Sequence, residues 1–366
     1  MPSFRTRNVL TGLAGLAGTA GIIATGLPAS AATPAVDVAA QAAPGSTVKT
    51  DTAIRFVGSG AAANKVTVSG FGPRQFLLTD VLPIQAGTGC AAQAVPAGLF
   101  GVVCRAPVNA EGEFLRFFVD LGAGSDSVTD LAPASMSAKG GDGNDVMTGG
   151  SLDDDFSDTA GANSIRGRSG DDLIDTSGSI DQLSDTLDGG RGDDDLFAGP
   201  SRDRLIGGGD DDGMQGGLGA DEIDGGSGRD HASYTDSAHG SVRLSVSLDG
   251  VANDGQLPLG GTTEGDNVLT TVEDVTGNGG PDLLFGSNAD NRLVGLGGDD
   301  FIEGLDGEDE LEGDSGADRL FSNTFRSALS DGDVDLLKGG TDAPDECRIS
   351  TFDKDVAEEC EIVDVT

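Results

Sequence analysis

Between Gly189 and Ser233 an aspartate returns at every ninth residue: Asp194, Asp203, Asp212, Asp221 and Asp230. The units are GGRGDDDLF, AGPSRDRLI, GGGDDDGMQ, GGLGADEID and GGSGRDHAS, with glycine filling most of the first two places and the aspartate at the sixth. What these residues offer chemically is hard oxygen, as carboxylates and as the backbone carbonyls of glycine-rich turns, with no His or Cys in the consensus. Such donors suit a divalent ion that accepts about six to eight oxygens in a flexible shell, which points to calcium rather than zinc or copper. Magnesium fits less well, because it resists dehydration and demands a strict octahedron.

The eighth place of each unit is mostly apolar (Leu196, Leu205, Met214, Ile223, Ala232), so a unit reads as a turn followed by a very short strand. One unit cannot stand alone. Ordering its backbone costs about 1–2 kcal/mol per residue. A buried Leu or Ile returns only about 1.5–3 kcal/mol, and each ladder hydrogen bond a net of about 0.5–1.5 kcal/mol. Stacking adds ladder bonds, but it also aligns the aspartates: if two units form one coil, turns on the same side lie about 4.8 Å apart. Carboxylates at that distance repel by roughly 1 kcal/mol even in bulk water. A cation between the turns removes the conflict.

The motif GGxGxDxUx, with U a large apolar residue, resembles the hemolysin-type calcium-binding nonapeptide of the RTX (repeats-in-toxin) family. The best single matches are Gly140-Gly141-Asp142-Gly143-Asn144-Asp145 and Gly216-Gly217-Leu218-Gly219-Ala220-Asp221. The resemblance implies a parallel β-roll in which six residues turn around Ca²⁺, three form a strand, and ions lie between same-side turns. The expected fold class is therefore all-β, a calcium-loaded β-roll preceded by a small β domain. The expected ligands are Asp145, Asp154, Asp172, Asp185, Asp194, Asp203, Asp212, Asp221, Asp230, Asp282, Asp300, Asp309 and Asp318. With sites between turns two units apart, roughly 5–10 ions per chain are expected.

Taken in order, residues 1–32 read as a secretory signal peptide: Arg5 and Arg7, an apolar run from Val9 to Leu27, then Pro28-Ala29-Ser30-Ala31-Ala32 as a cleavage site. Residues 33–50 read as a linker. Short β-type runs at 54–57, 66–68, 76–78, 99–103 and 114–119 suggest a small all-β domain over 51–120. The first repeat array is expected over 121–233. Within it the unit from Asp158 lacks leading glycines and has Asn163 at the sixth place, so its turn is expected to bind weakly or not at all; Thr176–Ser179 read as a four-residue excursion.

Residues 234–276 form a β insertion, with Val242, Leu244, Val246 and Leu248 on one face of a strand and a second strand over 267–275. It is read as a hairpin packed on the roll, or else as a recognition loop. A second array occupies 277–338, followed by a cap at 339–366. The four cysteines fall into two local pairs, Cys90/Cys104 and Cys347/Cys360, and export would permit disulfides. The second pair would close the open end of the roll.

A formal charge of −40, from 22 basic and 62 acidic residues, argues against nucleic acid or anionic membrane as partners. After cleavage of the signal no membrane insertion is expected, since no second apolar run is long enough to span. No HExxH or GxSxG motif is present, and both histidines, His231 and His239, are expected at the surface. The expectation is a secreted, non-enzymatic protein that folds on extracellular Ca²⁺. The alternative is an adhesion module contacting a cell-surface glycan or protein through the N-terminal β domain or the insertion; a cryptic secreted hydrolase is the third reading.

Overall fold

The computed structural model describes residues 35–40, 52–58, 62–72, 74–86, 90–105, 116–179, 181–235, 240–257, 264–322, 334–340, 344–349 and 355–365. The signal peptide and His239 lie outside them. Among the described residues every regular element is a strand, arranged in sheets of 15, 11 and 7 strands. The chain winds as a parallel β-solenoid: successive strands go to opposite faces, and each strand pairs with the one a coil earlier. Asp155–Ser157 pairs in parallel with Leu173–Asp175, for example, and the next unit on the other face, Ser164–Arg166, pairs with Thr186–Arg191.

The eighth-place residues build the core. Met147, Phe156, Ile165, Ile174, Leu187, Leu196, Leu205, Met214 and Ile223 are all essentially excluded from solvent, and so are Leu284, Leu293, Ile302, Leu311 and Leu320 in the second array. Because strand side chains alternate, the eighth place meets its counterpart from the opposite sheet while the seventh and most ninth places point outward; Ser233, Val294, Glu303 and Phe321 are buried ninth-place exceptions. Three-residue strands suffice, since each repeat strand buries its middle side chain.

The long sheet runs from strand Gln85–Ala86, through Ala35–Ala40 and Thr52–Val57, to strand Val356–Glu358. Thr52–Val57 pairs in parallel with Arg116–Ala123, and Lys65–Gly72 with Ser127–Leu131, so both sheets pass through residue 120 without interruption. Antiparallel strands Gln75–Asp80, Phe100–Arg105 and Cys90–Gln93 extend one face beyond this first coil. In the stretch read as a linker, Ala35–Ala40 pairs antiparallel with Thr52–Val57. Both disulfides form: Cys90–Cys104 joins paired strands, and Cys347–Cys360 ties the end of the roll.

Residues 234–276 are woven into the roll. Asn267–Val268 closes the first short sheet against Glu222–Ser227, Leu244–Ser247 opens the second against Leu283–Phe285, and Asp274–Thr276 fills the long sheet between His231–Ser233 and Arg292–Val294. The single strand expected over 267–275 is therefore two, in different sheets, because the chain turns at 269–272 to cross from face to face. Val242 is exposed instead of lying inward with Leu244, Val246 and Leu248, since the strand begins only at Leu244.

Candidate metal centres between the turns

The sixth-place side chains line up in columns along the edges of the roll, one above another. In each, one carboxylate oxygen is committed to the fold: Oδ1 accepts the backbone N–H of the sixth-place residue one coil earlier. Asp154, Asp172, Asp194, Asp212 and Asp230 accept from Met136, Asp154, Asp172, Asp194 and Asp212 at 2.6–2.9 Å. On the opposite edge Asp145, Asp185, Asp203 and Asp221 accept from Asp126, Asn163, Asp185 and Asp203, each at 2.7 Å. Beyond the insertion Asp282, Asp300, Asp309 and Asp318 accept from Leu244, Asp282, Asn291 and Asp300 at 2.7–3.0 Å. All thirteen expected residues thus occupy equivalent places.

The other oxygen is the chemically available one. Oδ2 of Asp126, Asp145, Asp172, Asp194, Asp203, Asp212, Asp221, Asp230, Asp300 and Asp318 is buried and meets no hydrogen-bond donor among the described residues. Burial pushes these carboxyls upward from the ordinary aspartate range: Asp172, Asp194 and Asp212 to about 8, and Asp221, which also faces Asp266, to about 9. An unpaired buried anion is costly, so each of these groups must take up either a proton or a cation.

Space is reserved beside the orphan oxygen. A Cβ placed on Gly207, at the first position of its unit, would lie 2.3 Å from Asp212 Oδ2 and 2.7 Å from the carbonyl oxygen of Gly225, one coil further on. One on Gly208 would lie 2.3 Å from the Gly190 carbonyl oxygen, and its φ of +122° is in the left-handed region that favours glycine. Carboxylate and carbonyl oxygens therefore converge between successive turns where no side chain can enter. Among the described residues no three His, Cys, Asp or Glu side chains surround one point. Backbone carbonyls would have to complete the shell of any ion held there. That donor set fits calcium and offers nothing to a soft metal.

Some gaps depart from this scheme. Asp154 Oδ2 accepts the Gly150 N–H at 2.7 Å, and Asp282 Oδ2 accepts from Asn278 at 2.8 Å, so neither has an unpartnered oxygen. Near Asp154, Arg168 stands where the consensus has glycine, at φ 80°, and its Nη1 donates to the carbonyls of Gly149 at 2.9 Å and Asp130 at 3.2 Å. Here a guanidinium satisfies the carbonyls and a backbone N–H satisfies the second carboxylate oxygen. His231 is half-buried rather than at the surface: its Nε2 lies 2.8 Å from Thr276 Oγ1, and burial lowers it to about 4. The reason is its place at the junction, where Asp274–Thr276 packs against its strand.

The columns also include acids outside the thirteen expected ligands, among them Asp335, which with Leu337 is a remnant of the period. Asp266 and Glu273 accept from Asp221 at 3.0 Å and Asp230 at 3.0 Å across the insertion. Asp335, Asp345 and Asp355 accept from Asp309, Asp318 and Asp335, and Glu361 accepts from Asp345. For Asp266, Glu273, Asp335 and Asp345 the sequence signal is an acidic residue two places before a buried one, as in Asp266 and Val268 or Asp345 and Cys347; Glu361, two places before the exposed Val363, lacks it.

Comparison with known families agrees with this geometry. The family model described as the RTX calcium-binding nonapeptide repeat matches residues 137–155, 148–183, 184–214, 197–232, 272–301 and 285–320. No curated protein matches the chain.

Proposed function

We propose that this chain, whose residues 137–320 carry RTX calcium-binding nonapeptide repeats in multiple copies, is a secreted, non-enzymatic protein whose roll closes when Ca²⁺ binds outside the cell. The observation that carries the reading is the column of buried carboxylate oxygens without donors, several of which, such as those of Asp172, Asp212, Asp230 and Asp318, face carbonyls of the neighbouring turn. Calcium, when bound, supplies the positive charge that lets these oxygens stay ionised inside the fold. The chain's own residues do the rest: Oδ1 of each sixth-place aspartate fixes the turn spacing, the glycines keep the gap open, and the eighth-place residues close beneath. Since the cation binds the folded chain and not the dispersed one, its binding free energy is folding free energy. A net charge of −40 supports the same division, because without cations self-repulsion keeps the repeats apart.

Secretion is supported by the basic and apolar N-terminus and by the two disulfides. The test is circular dichroism of the mature chain through a calcium titration and reversal with EGTA. Coil without metal and strand with it is expected, cooperative in Ca²⁺ and poorly reproduced by Mg²⁺. Full strand content after chelation, with a melting temperature unchanged by added calcium, would overturn the proposal.

A further inference from the structure

One gap carries a second carboxylate that the repeat consensus does not provide. Asp158 opens its unit where most units open on glycine, and in the turn stack it sits directly after the turn of Asp145. At several other gaps the oxygen that faces a first-place glycine from the next coil is a backbone carbonyl: a Cβ on Gly149, Gly167 or Gly225 would lie 2.5, 2.6 or 2.3 Å from the carbonyl oxygen of Gly167, Gly189 or Thr271. At Gly140 the nearest atom is Asp158 Oδ2, at 2.1 Å, with Asp145 Oδ2 at 2.5 Å. Here the nearest oxygen from the next coil belongs to a carboxylate.

Both side chains are held in place by their other oxygen. Asp145 Oδ1 accepts the Asp126 N–H at 2.7 Å, while Asp158 Oδ1 accepts the N–H of Thr159 at 2.7 Å and of Gly141, across the gap, at 3.1 Å. Asp145 is fully buried and Asp158 is 1 % exposed, and neither Oδ2 meets a donor among the described residues. The sixth-place residue of the upper turn is the neutral Asn163, whose Oδ1 accepts the Asp145 N–H at 2.9 Å. Relative to the consensus, the upper turn has therefore moved its carboxylate from the sixth place to the first, where it faces into the gap.

We propose that Asp145 and Asp158 form a two-carboxylate site for one divalent hard cation between turns 140–145 and 158–163, held more tightly than the ions of the single-carboxylate gaps. The proposal rests on the calcium reading above, and it reverses the weak binding expected of the Asp158 turn. Ligand charge is the reason: of two oxygen cages of similar size, the one with more carboxylates binds calcium more strongly. Without a cation the pair could only share a proton.

The experiment compares the wild-type mature chain with Asp158→Asn and with the consensus-restoring Asp158→Gly. Bound calcium is counted by equilibrium dialysis with atomic emission over a range of free Ca²⁺, and circular dichroism at saturating calcium confirms that each variant is folded. Both variants should fill one ion fewer at low free calcium, with that site weakened about tenfold or more. Arg168→Gly, at another gap, should not remove it. If wild type binds calcium and Asp158→Asn loads identically, the pair shares a proton and this inference alone falls. If Asp158→Gly binds the ion more tightly, the inference also falls. Wild type that binds no calcium would overturn both this inference and the proposed function.

Discussion

From His231–Ser233 to Asp274–Thr276 and on to Arg292–Val294 the long sheet keeps its parallel pairing, while the opposite face ends one sheet at Asn267–Val268 and starts another at Leu244–Ser247. Both faces meet the same interruption in the chain. The long sheet bridges it with ordinary rungs, Ala232 facing Val275 and Val275 facing Leu293. Both columns skip the surplus, from the usual 18 residues between Asp203 and Asp221 to 45 between Asp221 and Asp266 and 43 between Asp230 and Glu273, but only the other face breaks its ladder to do so. One continuous face is thus enough to carry a solenoid past an insertion, provided that the other can end and restart its hydrogen-bond ladder.

The sharpest way to break this arrangement is at Val275, buried on the continuous face. Val275→Asp would place an unpaired charge between the two arrays, at a cost of several kcal/mol that a marginally stable chain cannot absorb. At saturating calcium it should turn a single thermal transition into two, or abolish folding. One transition at the wild-type temperature would show that the arrays do not depend on that rung.

Proton linkage gives the next largest effect and separates the two faces. In chelator the buried aspartates have folded-state pKa values raised above the usual 3.8, to about 7 for Asp230 on the continuous side and about 9 for Asp221 at the seam. A raised carboxyl binds more protons in the folded chain than in the unfolded one. Metal-free stability should therefore be greatest on the acid side and be lost as pH climbs from about 4 to about 9. Strand content of protein stripped of calcium and kept in calcium-free buffer should rise as the solution is acidified from pH 9 to pH 5, with the seam carboxyls the last to ionise on the way back. A metal-free signal that strengthens with rising pH would contradict the assignment.

A finer probe is Tyr234, buried at the break, whose hydroxyl donates to Asp266 Oδ2 at 3.2 Å. Tyr234→Phe keeps the ring and removes that donor, which should cost about 1–2 kcal/mol. Hydrogen exchange should quicken at Asn267–Val268, on the divided face, more than at Asp274–Thr276. The smallest effect is expected from Arg204→Ala, which removes the exposed 2.8 Å ion pair with Glu222. A change within about 0.5 kcal/mol, and no shift in the calcium midpoint, would fit a pair screened by solvent.

Much of the site could be read from the residues alone. The nine-residue count placed Asp145 through Asp318 in their columns and Met147 through Leu320 in the core, because the middle side chain of a three-residue strand points inward. Both cysteine pairs were legible from their local spacing. The first coil was not: Thr52–Val57 and Lys65–Gly72 lack the glycine turn, although Asn64 donates its N–H to Asp126 Oδ1 as any sixth-place residue does.

What the sequence determined by itself was the repeating unit, its oxygen chemistry and its apolar register, all of which depend on contacts within nine or eighteen residues. Tertiary structure decided which acids join the columns across irregular stretches: Asp266, Glu273, Asp335, Asp345, Asp355 and Glu361. It also decided that Asp158 faces Asp145. The physical reason is that a solenoid coil closes when its strand reaches the ladder of the coil before it. The number of residues spent on the way is free to vary, so local spacing cannot specify the partner.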